Sequence, residues 1–145
     1  ENDRNLMIVD EIQRGRHKGR KILLLSHSVD HLHALHEMVP NSGLIVGSVK
    51  QKDRAAQLHN YPVVFATMHL ARRGLNRPDL DTLHLLTPFR NANDYQQATG
   101  RILRDLDGKT QPVVMVWVDE MMKSQLSAIQ LKRLARKQGH IVEDL

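Results

Sequence analysis

The sequence predicts an α/β domain: an open, mainly parallel sheet with helices on both faces. Three observations lead there. Four short β-rich runs, 21–26, 63–67, 82–87 and 113–118, are nearly continuous in apolar residues rather than alternating, as strands covered on both faces are. Polar segments with helical spacing lie between them, and strand–helix alternation with right-handed crossovers produces a parallel sheet. The 145 residues match one domain, 1–145, with no internal repeat or long linker, and are enough to bury a real core.

The elements follow in order. A first helix reads from about Asn2, with Leu6, Val9 and Ile12 at spacing three. The run "KILLLS" (21–26) is the first strand. Ser28 is placed to cap a helix whose Leu32, Leu35 and Val39 share a face. A weaker strand, "GLIVG" (43–47), precedes a helical segment with Ala55, Ala56 and Leu58. "VVFAT" (63–67) and "TLHLLT" (82–87) are strands, "ANDYQQATGRIL" is a helix, and "VVMVWV" (113–118) is the last strand. A closing helix carries Met122, Leu126 and Ile129, then the cations Lys132, Arg133, Arg136 and Lys137. In such sheets ligands gather at the carboxyl ends of the strands. Ser26-His27, Gly47-Ser48, Thr67 and Pro88-Phe89 all fall there.

Composition narrows the function. No apolar run approaches the roughly 20 residues needed to cross a bilayer, and no signal-peptide pattern is present, so a membrane partner is not expected. There is no cysteine, which excludes disulfides and thiolate metal sites. The formal charge of +5 favours a polyanionic partner. The histidines His27, His31, His33 and His36 do not make a metal site on this reading. On one helix His31 and His33 point about 200° apart, whereas zinc needs ligands that converge.

The chemistry concentrates in "QQATGRILRD" (96–105), which fits Q-x-x-G-R-x-x-R with Gln97, Gly100, Arg101 and Arg104. Residues three apart on a helix share a face, so both guanidiniums approach one anion. A planar fork that stays charged suits phosphate oxygens and the charge that builds during γ-phosphoryl transfer. Upstream, "VVFATMHLARRGLNRPDLDTLHLLTPFRNANDY" supplies a strand ending in Ala-Thr, a short helix, Gly-Leu-Asn, a Pro and another strand.

Together these stretches resemble motifs V and VI of superfamily 2 helicases. "KILLLSHSVDHLHAL" is similar to motif IV, and "GSVKQKDR" (47–54) to the Gly-Ser…Arg stretch after the second strand. The eleven-residue "ATMHLARRGLN" resembles DNA translocases of the phage and repair type more than the shorter DEAD-box form. The resemblance implies a RecA-like fold and, more narrowly, the second RecA-like domain of a helicase motor. It implies arginine fingers at Arg101 and Arg104, and ATP-side contacts from Gln97, Gly100, Gly74 and Asn76. Nucleic-acid contacts are implied at Ser26, His27, Gly47, Ser48, Arg54 and Thr67. Arg72 and Arg73 are read equally as a solvated turn or as contacts to nucleic-acid phosphate or the ATP cleft. Asn76 departs from the family, which carries Asp there; it keeps an acceptor but loses the charge.

Two parts of a motor are missing from the sequence. There is no G-x-x-x-x-G-K-[ST] loop, and no Asp-Glu pair after a strand to hold magnesium. "VDE" (118–120) is read as a strand end and helix cap. The family places both missing parts in its first RecA-like domain, so ATP and Mg2+ are expected cofactors of a longer protein and this domain alone is expected to hold neither. The expected partners are nucleic acid, with DNA favoured over RNA, and that first domain. The expected location is intracellular: the cytoplasm of a bacterial or phage-infected cell, or a nucleus. An RNA helicase domain, or a non-catalytic binding or scaffolding module on the same fold, is the alternative.

Overall fold

A computed structural model describes residues 2–72, 77, 79–86 and 113–117. Among them run α1 (Asn2–His17), β1 (Ile22–Ser26), α2 (Val29–Met38), β2 (Ser42–Ile45), α3 (Gln51–His59), β3 (Val63–Thr67), α4 (Met68–Arg72), β4 (Thr82–Leu85) and β5 (Val113–Val116). The strands form one sheet in the order β2-β3-β1-β4-β5, and every pair is parallel. The five expected strands are all present, each within two residues of its expected bounds.

Alternate residues of the central strands feed two cores. Leu23 and Leu25 of β1, Val64 and Ala66 of β3, and Leu83 and Leu85 of β4 face Leu58 of α3 and Met68 and Leu70 of α4. Ile22, Leu24, Val63 and Phe65 face the opposite way, against Ile8 and Ile12 of α1 and Leu32 and Leu35 of α2. Both faces of β1 are therefore dry, which is why its sequence is apolar without alternation.

One helix face differs from its sequence reading. Leu6 is exposed and Val9 only partly buried, whereas Ile8 and Ile12 are fully buried. Steps of three residues fall about 60° short of a turn each, so Leu6 and Ile12 diverge by about 120°. Residues four apart stay within about 40°, and the inward stripe of α1 follows Ile8 and Ile12. Likewise Leu58 is buried on α3 while Ala55 and Ala56 face solvent.

Polar side chains fasten the amino end of the sheet. Asp81, almost fully buried, accepts from the Lys21 amide at 3.0 Å and the Thr82 hydroxyl at 3.0 Å. Arg20 reaches the same carboxylate at 3.9 Å and donates to Thr82 Oγ1 at 3.3 Å. Gly43 lets α3 lie directly on β2, since a Cβ there would strike the Gln57 carbonyl oxygen. Among the described residues no buried polar side-chain atom lacks a partner.

His84 puts an ionisable ring inside the sheet. Its ring is 1 % exposed and stacks on Trp117, with centroids 6.1 Å apart. Burial pushes its pKa down from 6.5 to about 4. The Trp117 indole, which can only donate, gives a hydrogen bond to His84 Nδ1 at 3.0 Å. That nitrogen must then be unprotonated, so the ring is neutral with its proton on Nε2. The folded protein binds this proton less readily than the unfolded chain does. The resulting stability is complete above about pH 6.5 and is lost as pH falls toward 4. Burial of His36 acts with the same sign. We expect unfolding free energy to be about 2–3 kcal/mol lower at pH 4.5 than at pH 7.5 from His84 alone. Urea melts followed by the single tryptophan test this; the pH slope should flatten in His84→Gln, and a slope identical to the parent's refutes the assignment.

Candidate nucleic-acid interface

Parallel pairing sends all strands out at one end of the sheet. β1 and β3 are neighbours in register, with Ser26 opposite Thr67. The chain leaves β1 toward α2 on one face and leaves β3 toward α4 on the other. Connections that part to opposite faces open a crevice between the two strand ends, the usual ligand position in open α/β sheets.

The turn out of β1 is built by two serines. Ser26 is fully buried, and its Oγ accepts from the Ser28 amide at 3.0 Å. Ser28 in turn caps α2, its Oγ accepting from the His31 amide at 3.2 Å. His27 stands exposed between them. Thr67 does the corresponding work on β3, accepting from the Leu70 amide at 3.3 Å and starting α4. These hydroxyls shape the backbone at the strand ends, and Ser26 offers no exposed side chain of its own.

The third strand end contributes a tight turn. Val49 N donates to Val46 O at 2.9 Å, which lifts Gly47 and Ser48 into solvent. Nothing lies within 4 Å of a Cβ built on Gly47, so its backbone is open to close approach. Arg54, half-buried on α3, donates from Nε to Val49 O at 3.1 Å and ties the turn to its helix. Beside it an open groove of about 550 Å3 runs along β2, lined by His36, Leu44, Ser48, Val49, Asp53 and Gln57 among others. Gln57 Oε1 accepts from the Leu44 amide at 3.0 Å, covering a donor on that edge strand.

Of the residues assigned from sequence, Ser26, His27 and Thr67 thus meet at the crevice, and Gly47, Ser48 and Arg54 flank it on the β2 side. Gly74, Asn76, Gln97, Gly100, Arg101 and Arg104 lie outside the described residues, as do Arg73 and Pro88-Phe89. Gln97, Gly100, Arg101 and Arg104 fall in sequence between β4 and β5.

The histidines are individually engaged. His31 Nε2 sits 2.8 Å from Asn5 Oδ1, and His36 Nδ1 sits 2.9 Å from Ser42 Oγ with its ring edge-on to Phe65. Burial, then His33, lowers the His36 pKa. Among the described residues no three His, Asp or Glu side chains are placed to share a metal ion.

Two arginines were not marked by the sequence reading. Arg77, 7 % exposed, donates from Nη1 to Leu58 O at 2.6 Å and to Tyr61 O, and from Nε to Asp79 Oδ1 at 2.8 Å. It fixes the chain before β4 against the last turn of α3. Burial raises the Asp79 carboxyl, but the Arg77 hydrogen bond and charge outweigh it, and its pKa is lowered. Arg4 of α1 donates from Nη2 to Leu86 O at 3.0 Å and to Trp117 O at 3.1 Å. Its only sequence signal is its place one turn before Ile8 and Ile12.

The family model described as "Helicase conserved C-terminal domain" matches residues 3–105. Among solved structures, the C-terminal domain of the DEAD-box protein Dbp5 superposes with a TM-score of 0.68 at 14% identity, covering 98% of this chain and 82% of that one. The C-terminal part of the Fun30 ATPase domain gives 0.61 at 14% identity, covering 94% of this chain. The chain spans 55% of that Fun30 chain, and at such identity both likenesses concern the fold. No curated protein sequence matches the chain.

Proposed function

Because the chain belongs to the helicase conserved C-terminal domain family, we propose that it is the second motor half of an ATP-dependent DNA helicase or translocase. One observation carries the reading: the parallel sheet brings the ends of β1 and β3, the turn after β2, and the carboxyl ends of β4 and β5 to the same edge. A nucleic-acid strand and an ATP-binding partner domain are both served from that edge.

In this reading ATP lies between this domain and a first RecA-like domain of the same protein, inside the cell. The phosphate loop and the magnesium ligands come from that other domain, since neither sequence pattern occurs here. Arg101 and Arg104 answer the charge that grows on the transferring phosphoryl group, which is electrostatic rather than acid–base catalysis. Gln97, Gly100, Gly74 and Asn76 complete the ATP side. His27, Ser48 and the open backbone at Gly47 meet sugar and phosphate, contacts that ignore base sequence. Ser26, Thr67 and Arg54 hold the turns that present them. The eleven-residue spacing of 66–76 supports DNA as the track.

Isolated 1–145 protein is expected to show negligible ATPase activity with or without single-stranded DNA. Nucleic-acid-stimulated turnover by the pure domain defeats the half-motor reading. The domain is expected to bind single-stranded DNA weakly, with log K falling linearly as log salt rises through counterion release. Titration at two salt concentrations with DNA and RNA oligomers of equal length checks both strength and sugar preference; a clear preference for RNA transfers the reading to an RNA motor, and salt-independent binding contradicts the phosphate contacts.

In the full-length protein Arg104→Ala should lower kcat by about 10³-fold or more while changing KM for ATP little, because the charge it meets is greatest at the transition state. Arg104→Lys should rescue poorly, lacking the planar fork. Folded variants with kcat within a few-fold of the parent would show that these arginines are not fingers and leave a binding or scaffolding module instead.

A further inference from the structure

We propose that the groove beside β2 takes a nucleobase of the bound strand. The inference rests on the reading of Gly47 and Ser48 as sugar-phosphate contacts, and adds a place for the base attached to that sugar. Within the sheet β2 is paired on one side only, to β3. Gly43 lets α3 lie directly on β2, which brings Gln57 within reach of the strand. Gln57 Oε1 accepts from the Leu44 amide at 3.0 Å. That bond fixes the carboxamide, because its –NH2 end cannot accept. Gln57 Nε2 has no protein partner, and no buried polar side-chain atom among the described residues lacks one, so Nε2 is open to solvent. It offers two hydrogens.

The His36 ring is oriented just as firmly. Ser42 Oγ lies 2.7 Å from Val39 O, and a carbonyl only accepts, so the hydroxyl hydrogen is spent there. Toward His36 Nδ1, 2.9 Å away, Ser42 can then only accept. Nδ1 therefore carries the ring proton, and Nε2 is left as an acceptor. Burial, then the charge of His33, lowers the His36 pKa and keeps the ring neutral near pH 7. Phe65, edge-on with centroids 6.1 Å apart, holds its plane. His36 Nε2 has no protein partner either and is open to solvent by the same reasoning.

Both side chains line the one groove, whose apolar lining is Leu44, Val49 and Ala56. Its volume of about 550 Å3 falls within the roughly 300–1,000 Å3 of ligand clefts. A nucleobase suits such a place, being flat, weakly polar on its faces, and equipped with a donor beside an acceptor on its pairing edge. Every base has that pair, so the groove distinguishes a base from its absence rather than one base from another. Ser48 and Lys50 line the same groove, and the Lys50 ammonium complements the phosphate to which the base is tied. An extended peptide is the other usual occupant of a sheet edge. Here the Leu44 amide that an added strand would bond is already taken by Gln57.

The test holds the phosphates constant and removes the bases. In the full-length protein, fluorescence anisotropy compares single-stranded DNA with a strand of equal length built from abasic tetrahydrofuran sugars. The parent is expected to bind the strand with bases about ten-fold tighter, the worth of two neutral hydrogen bonds. Gln57→Glu keeps an oxygen for the Leu44 amide and removes the donor. Ala56→Leu, at an exposed helical position, fills the groove with a good helix former. Thermal melting checks that both variants fold. In each, the two strands are expected to bind within about three-fold of one another. The added charge of Gln57→Glu weakens both strands alike, so the ratio is the readout. Equal affinities in the parent overturn the inference, leave the phosphate contacts standing and give the groove to a peptide. A ten-fold preference that survives in either folded variant also overturns it, since the base is then met elsewhere. Failure of the parent to bind either strand, or binding indifferent to salt, overturns the phosphate reading and the inference together.

Discussion

Parallel pairing of β1 with β3 on one side and β4 on the other is the constraint on which the rest depends. A parallel strand must be re-entered from the same end, so each strand is followed by a crossover over a face of the sheet. That requirement buries both faces of the central strand and supplies the apolar surface of the two cores. It also forces every strand-to-helix turn to one edge. The helices that close the cores and the turns that make the interface are consequences of one pairing pattern.

The two edges of the sheet are finished differently. At the amino edge, Asp81 gathers the Lys21 amide, the Thr82 hydroxyl and Arg20 around one buried carboxylate. Removing that carboxylate would strand the donors that point at it, and such losses are expensive in a dry site. The carboxyl edge is finished with short-range caps, from Ser26 to Ser28, Ser28 to His31 and Thr67 to Leu70. These set the direction of each turn while leaving His27, Gly47 and Ser48 open to solvent. The closed edge holds the sheet together, and the open edge presents its turns to solvent.

Arg77, Arg54 and Arg4 each serve a different end. Arg77 is buried as a clasp between the last turn of α3 and the chain entering β4. Arg54 secures a surface turn through one nitrogen. Arg4 reaches from α1 to the carboxyl ends of β4 and β5. In each case the guanidinium bonds backbone carbonyls, for which a fixed fork with several donors is better suited than a single ammonium. Formal charge counts all three alike with fully exposed cations, and so overstates the positive field at the surface.

The sequence by itself determined the class of fold, the strands and the family. Unbroken apolar runs such as "ILLLS" and "VVFAT" report burial on both faces directly, and the Ser28 cap reports where α2 starts; both are local signals. The ordered motif stretches were legible for the same reason, being short and fixed in spacing. Only tertiary structure decided which face of α1 turns inward, where the Ile8–Ile12 stripe displaced the Leu6–Val9–Ile12 one, because spacing three and spacing four differ by a packing partner the sequence does not name. Only it separated Ser26, buried within its turn, from His27, exposed on it. It alone revealed the work of Arg4, Arg77 and Asp81. Each has a backbone partner distant in sequence, up to 113 residues away, and a backbone amide or carbonyl is the same whatever residue bears it, so no local pattern records the contact.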